Sequence, residues 1–172
     1  MPKYRQDSGE LCDSVGLLIS ILVRYPEIGT VKFNPQNQTL KLSFILSRLF
    51  SNDEYQIFTD KLCSSLEAYN FLESQNDVVI HTAYDQYEQI GVLEVIRDVH
   101  TLSRTEISLI IAIIRDHFER IMVIDKNDSL LEEDLLVQEE LIENMLEHLK
   151  GARYEKNLIG IREDGRVMVF NK

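Results

Sequence analysis

The sequence predicts an α+β fold, an antiparallel sheet with helices, and three observations predict it. Apolar residues recur at three- and four-residue spacing in long segments. They alternate with polar residues in shorter ones, bounded by turn-forming residues. From Thr39 to Asp125 these elements run strand, helix, strand, strand, helix, strand, the βαββαβ order of a ferredoxin-like core (about 39–125). A helix is added before that core, and an acidic helix with a β-hairpin (128–171) after it.

Taken in order, the first helix is expected from about Ser8 to Arg24, ending before Pro26 because a residue preceding proline resists helical geometry. At about 100° per residue its apolar side chains cover most of the circumference, leaving a polar wedge of Asp13, Gly16, Ser20 and Arg24. Such a helix needs cover on more than one side. "TVKFN" and "TLKLSFIL" read as strands around the turn "NPQNQ". The second helix carries a stripe of Tyr55, Phe58, Leu62, Leu66 and Tyr69. "VVIHTAY" and "IGVLEVIR" read as paired strands joined by "DQYEQ", and "RIMVID" as a short strand after the third helix. "LIGIR" and "RVMVF" flank "EDG", whose Asp164-Gly165 pair suits the positive φ angles of a tight hairpin. Four capping patterns, "DSGE", "SNDE", "SRTE" and "SLLE", mark the expected helix starts. Strands Val78–Tyr84 and Ile90–Arg97 are apolar at both parities, so both sheet faces want cover; the first helix is the expected lid, with the fourth helix or a second subunit as alternatives.

At 172 residues the chain suits one domain, with its core at about 30–126. Its 44% hydrophobic and 27% charged residues are those of an ordinary globular protein. The net charge of −11 sets the surface field against phosphate backbones and anionic lipid, so neither nucleic acid nor membrane is an expected partner. The strand "QIGVLEVIRD" also lacks the aromatics that RNA-binding sheets of this order display. "VGLLISILV" is nine residues, against the roughly 20 needed to span a bilayer. Cys12 and Cys63, far apart and in apolar helical patterns, are expected to be reduced and buried in a cytoplasmic protein.

Candidate sites are few. "RDHFER" (115–120) places Arg115 opposite Glu119 and Asp116 opposite Arg120 at i, i+4, which reads as a solvated helix end with two ion pairs. His81, His100, His117 and His148 are dispersed, with no HExxH or CxxC, so no metal and no cofactor is expected. Nucleotide-binding loops and hydrolase elbows are absent as motifs. A pocket between sheet and helices would be lined by His81, Tyr84, Arg97 and His100. From Asp128 to Leu149 the chain carries eight acids and no lysine or arginine, with Glu132, Glu139, Glu140, Glu143 and Glu147 on one face. Like charges at i, i+4 cost about a few tenths of a kcal/mol per pair, which apolar packing or a basic partner must offset. The hairpin that follows is basic, so Arg162 and Arg166 are expected to lie near an acidic helix, the chain's own or a second subunit's. The reading is a non-enzymatic regulatory or protein-interaction module that self-associates as a dimer or binds another protein. The alternative is a small-ligand-sensing domain or small enzyme.

Overall fold

Four helices and a six-stranded antiparallel sheet make up a computed structural model that describes residues 2–125, 131–151 and 156–171, with the backbone alone for residues 2–12. The fold is α+β. In chain order the elements are α1 (Pro2–Arg24), β1 (Thr30–Asn34), β2 (Thr39–Leu46), α2 (Asn52–Leu72), β3 (Ile80–Tyr87), β4 (Ile90–Asp98), α3 (Arg104–Phe118), α4 (Glu132–Leu149), β5 (Leu158–Glu163) and β6 (Arg166–Asn171). The strands lie in the order β3-β4-β2-β1-β5-β6, every neighbour antiparallel.

Three of the four strands of the βαββαβ reading, β2, β3 and β4, take the order β3-β4-β2. The fourth is not a strand. "RIMVID" forms a 3-10 turn at Glu119–Ile121 and a single bridge between Met122 and Leu46, held by Ser47 N to Ile121 O at 2.7 Å and Val123 N to Ile45 O at 2.9 Å. The rest of that edge is already taken: β1 pairs with Thr39–Ser43 of β2, and β5 and β6 extend the sheet beyond it.

Register sorts every strand residue onto one of two faces. One row across the sheet reads Thr82, Val95, Leu42, Val31, Gly160 and Val169. The next reads Ile80, Arg97, Leu40, Phe33, Leu158 and Asn171. These rows point toward the helices, and Val95, Leu42, Val31, Leu40, Phe33 and Leu158 of them join one core cluster with Leu17, Leu18, Ile21 and Leu22 of α1, Phe58, Leu62 and Leu66 of α2, and Ile107, Ile110 and Ile114 of α3. Each fully buried side chain of this kind contributes about 1.5–3 kcal/mol relative to exposure. Near Phe118 the core is aromatic: Phe50 stacks on Tyr84 at 4.0 Å and on Phe118 at 4.7 Å, and the Tyr84 hydroxyl accepts from Phe50 N at 3.1 Å.

The first helix begins earlier than the sequence suggests, at Pro2, so "DSGE" lies inside it. It does not cover the second face of the sheet. It packs on the same face as the other helices, over β1, β5 and β6, where Gly160 lets Leu18 and Leu22 approach the sheet. The expected polar wedge is a contact surface, not a solvent face. Gly16 meets Met145 of α4, Ser20 is buried, Arg24 Nε donates to the Glu139 carboxylate at 2.8 Å, and Asp13 lies 3.6 Å from His148 Nδ1. The helix is thus covered by the sheet, by α4 and by the core.

Ser51 and Ser103 cap α2 and α3 as predicted, each accepting from the backbone N–H three residues on, at 3.2 Å. The expected cap at Ser129 lies outside the described residues; α4 starts at Glu132, with Asp134 accepting from Leu131 N at 3.2 Å. The hairpin turn has Asp164 at φ 51° and Gly165 at φ 76°, as expected for a two-residue type I′ connection. Cys63 is a free, half-buried thiol, pushed up by burial and then by Glu67 and Asp60; the Cys12 side chain lies outside the described residues. Among the described residues no helix is long and apolar enough to cross a membrane.

A Cβ at residue 160 would sit 3.0 Å from Leu22 Cδ1 and 3.4 Å from Leu18 Cβ. Gly160→Val should therefore lever α1 off the sheet and lower the unfolding free energy by about 1–3 kcal/mol, the usual cost of overpacking. Urea denaturation checks this, with a fall in midpoint at unchanged slope.

Candidate functional site

The four residues expected to line one pocket do not converge. Tyr84 and Arg97 point toward the helices, His81 is exposed on the opposite face, and His100 is exposed in the turn after β4, against Gln38. Arg97 is instead the centre of a buried polar network. Its side chain is 1% exposed and all five guanidinium hydrogens are used. Nε donates to Glu106, which Nη2 also reaches at 2.8 Å; Nη2 donates further to Thr101 at 2.9 Å, and Nη1 to Asp98 and to the Val79 carbonyl at 2.9 Å. Glu106 is 0% exposed and also accepts from Asn70 Nδ2. Burial raises the Asp98 carboxyl, but the Val79 N–H, Thr101 and Arg97 outweigh it and hold it below the ordinary carboxylate range. The network joins the start of β3, the end of β4, α2 and α3. With every donor of the guanidinium consumed, it has no hydrogen left for a substrate.

Removing Arg97 leaves Glu106 buried without its counter-charge. Arg97→Met should cost about 3–5 kcal/mol, and Arg97→Met with Glu106→Leu should recover part of it. The Asp98 charge has a defined sign. Its pKa is depressed in the folded state, so its stabilisation is present above the ordinary carboxylate range and lost as pH falls through it. The stability gap between the natural chain and Asp98→Asn should therefore narrow in acid; a pH-independent gap in urea titrations would contradict the assignment.

Three of the five glutamates on the acidic face of α4 are neutralised from within the chain. Glu139 sits between Arg24 at 2.8 Å and Arg104 at 3.6 Å, Glu143 accepts from Arg104 at 3.1 Å, and Glu147 pairs with Lys150 at 2.6 Å. Glu132 and Glu140 are exposed. The apolar side of α4 is Ile142, Met145, Leu146 and Leu149, while Leu131, Leu136, Val137 and Leu141 are exposed. Arg162 does not meet α4. It closes the C-terminal end of α1, donating to the carbonyls of Leu22, Tyr25 and Ile28, with Asp125 3.8 Å away. Arg166 is exposed at the start of β6.

At the end of α3, Arg115 pairs with Glu119 at 2.9 Å as the spacing predicts. Asp116 pairs not with Arg120 but with Lys61 of α2 at 2.9 Å, because the helix ends at Phe118 and Arg120 falls in the 3-10 turn. His117 Nδ1 lies 3.0 Å from the Ile113 carbonyl, and its ring meets Phe58 edge-on. A cleft of about 370 Å³ opens here, lined by Arg48, Ile57, Phe118 and Arg120 among others.

The uncovered sheet face is what sequence reasoning misplaced. Its rows read His81, Ile96, Lys41, Lys32, Ile159, Phe170 and Ala83, Glu94, Ser43, Thr30, Ile161, Met168. Lys41 and Glu94 pair at 2.9 Å in the middle. On the β5–β6 side of that pair the face turns apolar with Ile159, Ile161, Met168 and the exposed Phe170. A groove of about 640 Å³ crosses the face, lined by Lys32, Asn34, Lys41, Val79, His81 and Ile96 among others. Parity in "LIGIR" and "RVMVF" carried the signal, since both strands are apolar at consecutive positions. Among the described residues no group of three or more His, Cys, Asp or Glu side chains is placed to hold a metal ion.

No known family, curated protein or solved structure matches the chain.

Proposed function

We propose that the chain is a non-enzymatic protein-interaction module that works by associating with a second copy of itself. The carrying observation is the apolar surface left uncovered at the β5–β6 end of the sheet, where Ile159, Ile161, Met168 and Phe170 face away from all four described helices. Apolar surface gathered in one place marks a contact. Charge supports a copy of the same chain as the partner. The uncovered face carries Lys32, Lys41 and Arg166 against Asp85, Glu94 and Glu163, an even balance in a chain of net charge −11. Two like-charged molecules meet most easily where repulsion is least. Of the residues expected to line a pocket, Arg97 is spent entirely on internal bonds.

Sedimentation equilibrium across a wide concentration range should give twice the monomer mass, with little change between low and high salt because the contact is apolar. A monomer at every concentration would refute the proposal.

A second reading, a small-ligand-sensing domain, draws on the groove of about 640 Å³ and its ring of Lys32, Lys41, His81 and Asn34. A thermal-shift screen of small anionic metabolites tests it. A reproducible rise abolished by His81→Ala and Lys41→Ala together would favour this reading.

A further inference from the structure

Among the described residues the sheet ends in two edges without a pairing strand, β3 and β6, and they are unlike. β3 carries Asp85 within its length and is followed by Glu88 in the turn. An edge marked by charge resists pairing with another strand. β6 runs Arg166, Val167, Met168, Val169, Phe170, Asn171, with no charge after its first residue. β5 satisfies one side of its backbone. Among the described residues no strand pairs with the other side, so about half its N–H and C=O groups point outward unpaired. An uncharged apolar edge of this kind is a template for one more strand.

A second feature adjoins it. Around α1, Leu18 and Leu22 meet the sheet at Gly160, Gly16 and Arg24 meet α4, and Leu17 and Ile21 are wholly buried. The side that remains carries Val15, Ile19 and Val23 at i, i+4 and i+8: Val15 packs in part against the core, Val23 is half-buried and Ile19 is 37% exposed. It lies opposite the Leu17–Ile21 side, and α1 packs over β6 as well as β5 and β1, so this stripe flanks the β6 edge. Edge and stripe together form a margin with no acid and no base between Val167 and Asn171 or among Val15, Ile19 and Val23.

We propose that two copies of the chain join edge to edge, β6 pairing antiparallel with β6 of the second copy about a two-fold axis near Met168 and Val169, which turns two sheets into one continuous sheet and brings the Val15–Ile19–Val23 stripes of the two α1 helices to face each other. This rests on the self-association reading and places its contact at the β6 margin: the axis brings Met168 and Phe170 of the two copies together, while Ile159 and Ile161, one strand in, stay on the uncovered face. The two-fold axis stands perpendicular to the sheet, so both helical layers stay on the same side. Directly opposed residues in an antiparallel pair share a face. About this axis either Met168 meets Met168 with Val167 against Val169, or Val169 meets Val169 with Met168 against Phe170. Both registers set apolar residues against apolar residues at their centre; the first also places Arg166 across from Phe170 and the second Val167 across from Asn171. A lone strand from an unrelated protein would satisfy the edge but leave the α1 stripe bare. A second copy covers both, by one symmetry operation.

The test uses the full chain and two measurements. Amide hydrogen exchange is followed over residues 166–171 at protein concentrations spanning the dimer dissociation constant. Sedimentation is then repeated on Met168→Lys, on Ile19→Glu, and on Ile96→Lys as a control on the uncovered face away from the edge. Circular dichroism confirms that each variant is folded. Edge pairing predicts protection of β6 amides that fades on dilution. It also predicts dissociation constants raised by about tenfold or more for Met168→Lys and Ile19→Glu, with Ile96→Lys unchanged. If the natural chain dimerises, Ile96→Lys disrupts it, and β6 exchange does not depend on concentration, the edge geometry is wrong while self-association stands. If the natural chain is a monomer throughout, both fall together. If Met168→Lys does not fold, the dilution dependence of β6 exchange in the natural chain decides alone.

Discussion

A guanidinium with no route to water holds the helical side of the molecule in register. Arg97 sits at the end of β4, and its hydrogen bonds reach Val79 before β3, Thr101 after β4 and Glu106 in α3, while Glu106 reaches Asn70 in α2. Each of these parts could slide against the others if only apolar contacts joined them. Burying a charge pair adds little net stability over apolar residues of the same shape, but breaking one is expensive. Such a network therefore acts more through what it forbids than through what it adds. A helix that turned or shifted by one residue would strand Glu106 or Arg97 without a partner.

The other half of the molecule is ordered by close approach rather than by charge. Gly160 admits Leu18 and Leu22 to the sheet, and Gly16 admits Met145 of α4, so α1 is pressed between two layers. Polar contacts sit at the ends of that interface, Arg24 paired with Glu139 and Asp13 3.6 Å from His148 Nδ1. They also answer the question raised by eight acids in one segment without a base. Arg24 and Arg104 come from α1 and α3 to meet Glu139 and Glu143, so the basic partner lies within the chain.

With α1, α2, α3 and α4 on one side, no described element covers the other side of the sheet. That imbalance is what the proposed self-association rests on. Ile159, Ile161, Met168 and Phe170 on the uncovered face, Val15, Ile19 and Val23 on the flank of α1, and the unpaired backbone of β6 all gather at one margin. A further packing partner at that margin would complete what the chain leaves unfinished, and the near absence of charge there suits a copy of the same acidic molecule.

Local chemistry was legible in the residues alone. Alternation placed β1 and β2 to the residue, serine caps placed α2 and α3, and the Asp164-Gly165 pair placed its hairpin, because each depends on neighbours a few positions apart. The candidate surface was half legible: apolar residues at both parities announced an unsatisfied second face, but not that α1 would leave it bare. Three-dimensional packing alone decided that β1, β5 and β6 would extend the sheet where a strand at Arg120–Asp125 was expected, that the polar wedge of α1 would become its contact with α4, and that Arg97 would be sealed among acids from β4 and α3 rather than opened to a pocket. The reason is range. A cap or a turn is settled within a few residues, whereas which of several apolar surfaces meet is a competition across the whole chain, and its outcome is written in no single segment.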